Sequence, residues 1–95
     1  MKTYNIYTEI LQEVASYNKR ISTATANHTD HVKAQQLRGK LLDYEHKGYI
    51  TWNERKLLYP LVDKVVDDIK KVIKLNEDIK QIHKEIEAER RKQSA

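Results

Sequence analysis

The sequence predicts an all-α fold, a small helical bundle with two shorter N-terminal helices and one long, proline-kinked C-terminal helix of coiled-coil character. Three observations lead there. Apolar residues recur three and four positions apart along the chain, the spacing of one helix face, and no alternation with the period of two that marks a strand competes with it. Gly and Pro, the residues that most often interrupt helices, number only two and one in 95 residues. Leu, Ile and Val number 23, enough for a core, while charged residues reach 34 %, a balance that belongs to helical proteins with much solvated surface. So short a chain supports one core, so residues 1–95 are read as a single domain. Helices one and two fall in 1–50, the long helix in 51–92, and a disordered tail in 93–95.

The first helix is expected from about Tyr4 to Ile21. Ile6, Ile10, Val14, Tyr17 and Ile21 form its apolar stripe, and Leu11 widens it. The small polar residues of 22–30 favour a loop because their side chains bond to nearby backbone groups. Thr29 or Asp30 is the expected N-cap of a second helix from about His31 to His46. Val32, Leu37, Leu41, Leu42 and Tyr44 are its candidates for burial. Gly48 fits a left-handed C-cap, and Thr51 with Glu54 fits a capping box that starts the third helix near Trp52. Pro60, two turns inside, lacks an amide proton and crowds the Lys56 carbonyl, so a kink or a break is expected near Tyr59. Nothing interrupts the pattern beyond it. A helix from Leu61 to Lys92 would run roughly 48 Å, against a diameter of about 30 Å for a compact chain of this length. Such a helix either projects or has something else packed along it.

Its apolar residues follow a heptad. Leu58, Val65, Val72, Ile79 and Ile86 form the d set, and Val62, Ile69, Asn76, His83 and Arg90 the a set. The expected oligomer seam is therefore Leu58, Val62, Val65, Ile69, Val72, Asn76, Ile79, His83 and Ile86, with Asn76 able to fix register against its equivalent. The alternative is that this helix packs only within its own monomer. Leu61, Val66, Ile73, Leu75 and Ile82 fall at e and g, so the stripe is wide enough for a bundle. In this frame a parallel pair would set Leu75 against Lys80 and Ile82 against Glu87, which leaves orientation undecided.

No catalytic set is present. The chain has no Cys and no Gly-rich phosphate loop, and no Ser sits in a nucleophile elbow. The carboxylate pairs Asp63/Asp67 and Glu85/Glu89 read as solvated helix faces, and no cofactor or metal is expected. His28, Asp30 and His31 read as a polar loop with a capping Asp. The stretch from Asp43 to Glu54 resembles an EF-hand calcium loop, with Asp43, Glu45, Thr51 and Glu54 at ligand positions and Gly48 at the turn. It departs from that family in the length of Glu45 and in Lys47, a cation where a ligand belongs.

The formal charge of +4 allows weak attraction to anionic partners without demanding it. Lys64, Lys70, Lys71, Lys74, Arg90, Arg91 and Lys92 would make the phosphate contacts of a DNA-binding regulator, although carboxylates interrupt the same surface. With no signal-like apolar run and no apolar stretch of membrane length, a cytoplasmic protein without a membrane partner is expected.

The functional expectation is a small non-catalytic interaction protein of the inhibitor, adaptor or regulator type. It would bind another protein stoichiometrically and self-associate as a homodimer. Tyr4, Tyr7, Tyr49, Trp52 and Tyr59 are the candidate contact anchors, because aromatics carry much of the energy of interfaces. In size and charge the chain is similar to small inhibitors and regulators of phages and mobile elements, and to bacteriocin-immunity bundles.

Overall fold

A computed structural model of the chain describes residues 5–93. It contains three helices, α1 (Ile6–Ser22), α2 (His28–His46) and α3 (Trp52–Gln93), in up-down-up order. Both short helices pack on α3, which serves as the spine.

Asn5 caps α1, its side chain accepting from the Tyr7 amide at 2.9 Å. The expected stripe is the buried face: Ile10, Val14 and Tyr17 enter the core, with Ile6, Leu11 and Ile21 at its edge. Tyr4 lies outside the described residues. The helix ends in a Schellman motif, in which Ala24 N–H donates to Ile21 O (3.1 Å) and Thr25 N–H to Arg20 O (2.9 Å). The left-handed residue of that motif is Ala24, with φ 56°.

α2 begins three residues earlier than expected, and its cap is Asn27 in place of Thr29 or Asp30. Asn27 Oδ1 accepts from Asp30 N–H (3.0 Å) while Asp30 Oδ2 accepts from Asn27 N–H (3.1 Å). This reciprocal pair does for Asn and Asp what the Ser/Thr–Glu box does, which places Asp30 at the third helical position. Asp30 is buried and also takes an ion pair from Arg20 Nη2 at 3.1 Å, tying the end of α1 to the start of α2. Leu37 and Leu41 are buried as expected and Tyr44 partly so. Val32 and Leu42 are exposed, because they lie well off the helix line that runs through Asp30, Ala34, Leu37 and Leu41. Ala34, with no exposure, fills the close approach instead.

The second turn matches its sequence signal. Gly48 takes φ 79°, its N–H bonds Glu45 O (3.0 Å) and Tyr49 N–H bonds Tyr44 O (2.9 Å). The Tyr44 and Tyr49 rings meet at 6.1 Å, supplying the apolar contact that accompanies this motif. Thr51 and Glu54 form the capping box through bonds of 2.8 and 3.1 Å.

α3 then runs 42 residues without interruption, so Pro60 does not break it. Pro60 is exposed, on the side away from the core, so the Lys56 carbonyl it leaves without an amide partner can be met by water. Leu58, Val62, Val65, Val66, Ile69 and Val72 supply the α3 share of the core. From Glu77 to Lys92 every side chain is exposed. The molecule measures 69 × 26 × 16 Å with a radius of gyration of 19.0 Å, where a compact chain of this length would give about 12 Å. No helix among the described residues is long and apolar enough to cross a membrane.

Candidate functional site

The expected seam divides into two parts with different surroundings. Leu58, Val62, Val65, Ile69 and Val72 are buried against α1 and α2 of the same chain. That half of the stripe is occupied by the monomer, as the alternative reading had it. Asn76 closes this zone: its amide donates to Ala24 O at 3.0 Å, satisfying the carbonyl of the left-handed residue that ends α1. Its side chain is therefore engaged within the chain rather than set to pair with its equivalent.

Around Asn76 the apolar line changes phase. The a positions hold His83 and Arg90, while Leu75 and Ile82 join Ile79 and Ile86 in a new line spaced four, three and four. These four side chains are 42–53 % exposed. At 3.6 residues per turn the new line sits roughly a quarter-turn around α3 from the buried one. The flanks of this line differ in charge. Asp78 and Glu85 lie on one side, and His83 and Arg90 on the other. Sequence reading missed this because the d set continues unbroken from the buried stripe, which hides the switch of its companion set from a to g.

A second exposed apolar group is at the α2–α3 turn. Tyr49, Trp52 and Tyr59 are exposed, and Tyr7 is half-buried against the core. Trp52 and Tyr59, seven residues apart, share a face of α3, where the Lys56 ammonium lies 4.1 Å from the centre of the Trp52 ring.

The basic residues do not gather into a continuous phosphate track. Lys64 pairs with Asp68 at 2.7 Å and Lys71 with Asp67 at 3.1 Å. Hydrogen bonding to Asp67 and its charge hold the Lys71 ammonium above its ordinary range. Lys70 and Lys74 are exposed beside Asp67 and Glu77, and Arg90, Arg91 and Lys92 lie at the far end of α3. His28 Nε2 lies 3.7 Å from Glu77, and Asp63 is bonded by Arg38 at 2.7 Å.

The calcium-like loop does not assemble a cation site. Asp43 pairs with Lys47 at 3.1 Å and raises its pKa. Glu45 pairs with Arg55 at 2.7 Å, and Thr51 and Glu54 are consumed by the capping box. Among the described residues no three His, Asp or Glu side chains gather as a metal-ligand cluster. Three open grooves of about 470–540 Å³ lie between the helices. No protein-family model, curated protein or solved structure matches this chain.

Proposed function

We propose that this protein is a non-catalytic interaction protein, acting in the cytoplasm as an adaptor, inhibitor or regulator by stoichiometric binding of another protein in a self-associated form. The observation that supports this most is the projecting part of α3, which carries three large apolar side chains, Ile79, Ile82 and Ile86, 42–53 % exposed beyond the reach of its own bundle. A helix this polar on its remaining faces has little to hold it in water except a partner along that line. The aromatic face of Trp52 and Tyr59 at the opposite end of the bundle suits a protein contact, since such side chains add area with little entropy loss. Nucleic-acid binding has weaker support, because carboxylates pair with Lys64 and Lys71 on the same surface.

The test is affinity capture with the intact chain in a lysate of the native host, compared with a Trp52→Ala, Tyr59→Ala variant. The expected result is a protein retained in a fixed molar ratio by the intact chain and lost with the variant. Retention of no protein in fixed ratio, or retention that both forms share, overturns the partner-binding assignment at this face.

A further inference from the structure

We infer that the projecting segment of α3 docks against the same segment of a second copy of this chain, parallel and in register. The coil would have Leu75, Ile79, Ile82 and Ile86 at its centre. It would be bordered by Asp78 of each copy against His83 of the other, and Glu85 of each against Arg90 of the other.

The occupant follows from charge. With Leu75, Ile79, Ile82 and Ile86 at the central positions, the flanking positions on one side are Asp78 and Glu85, and on the other Asn76, His83 and Arg90. In a parallel, in-register pair, each residue of the first flank meets the residue five positions further along the other chain. Asp78 then meets His83, and Glu85 meets Arg90. In an antiparallel pair each flank meets its own kind, so Asp78 and Glu85 would face carboxylates, and His83 and Arg90 would face each other. Among the described residues these four make no ion pair inside the chain, so they are available to a neighbour. The central line is apolar at every position, with Leu75 followed by Ile79, Ile82 and Ile86, and so gives the coil its contact area while the flanks set its direction. The bundle does not obstruct it. α1 and α2 cover the line through Leu58 and Ile69, roughly a quarter-turn away, and end near Asn76.

The inference rests on the self-associating part of the reading above, and its test separates the two. Sedimentation equilibrium of the intact chain at low ionic strength gives the mass. Two heptads are short for a coil, so association is weak and is sought up to about 0.5 mM. The expected result is a reversible rise above monomer mass that the Ile82→Asp variant abolishes while retaining its circular dichroism spectrum. Glu85→Arg, which sets Arg against Arg90 of the second copy, weakens association about tenfold, and the double swap Glu85→Arg with Arg90→Glu restores it. Strict monomer mass throughout overturns both the coil and the self-association behind it. Association that persists in Ile82→Asp, or that the single swap leaves unchanged or strengthens, overturns the parallel coil alone, because in an antiparallel pair Glu85→Arg would set a cation against Asp78 of the second copy.

Discussion

The two halves of α3 carry the same kind of heptad and meet opposite fates. In the bundle half, Leu58, Val62, Val65, Ile69 and Val72 are covered by α1 and α2. In the projecting half, Ile79, Ile82 and Ile86 are about half exposed, as is Leu75 just before it. The difference comes from reach. α1 and α2, of 17 and 19 residues, span at most about 29 Å, while the 42 residues of α3 span about 63 Å. An apolar line therefore becomes core or interface according to where its neighbours end, and Asn76 with the Ala24 carbonyl marks the boundary.

The largest expected effect lies in the covered half. Ile69 has no exposure, so Ile69→Ala leaves a cavity and lowers unfolding stability by about 2–5 kcal/mol in urea titration. Alkali acts on the same half through Tyr17, whose hydroxyl is pushed up to about 12 by burial and by the neighbouring Glu13 carboxylate. The folded state resists its ionisation, so this contribution is intact below pH 10 and is lost as pH rises from 10 toward 12. Tyr17→Phe flattens that fall in a pH series of melting temperatures. A smaller gain comes from Ala24→Gly, which relieves a left-handed residue that carries a Cβ and raises stability by about 0.5–1 kcal/mol. The smallest effect is in the projecting half. Ile82→Ala, measured in dilute solution, changes unfolding stability by no more than about 0.5 kcal/mol. A large loss there would erase the contrast between the halves.

Much of the fold was legible. Helix number, the Gly48 turn and the Thr51–Glu54 box follow from residues whose chemistry is local and one-sided: Gly alone takes φ 79° without strain. The Ala24 turn has the same hydrogen-bond pattern but was not legible, because Ala gives no hint of left-handed geometry. The same applies to Asn27, one of several cap-forming residues in 22–30, where the Asp30–Arg20 contact favours one frame. Val32 and Leu42 misled because apolar character was read without the helix line fixed by Ala34, too small to register as core. At the candidate site, the excess length of α3 was readable from residue count, and so was its apolar content. The division of the stripe at Asn76 depends on where α1 and α2 stop in space, which heptad spacing alone does not encode.

The most direct measurement is amide hydrogen exchange along α3 of the intact chain at two protein concentrations. Divided halves require strong, concentration-independent protection through the stretch that holds Val62 to Val72. From Glu77 onward they require weak protection that strengthens as concentration rises. Equal protection along the whole helix, unmoved by concentration, would show that nothing distinguishes the two halves and would contradict the account.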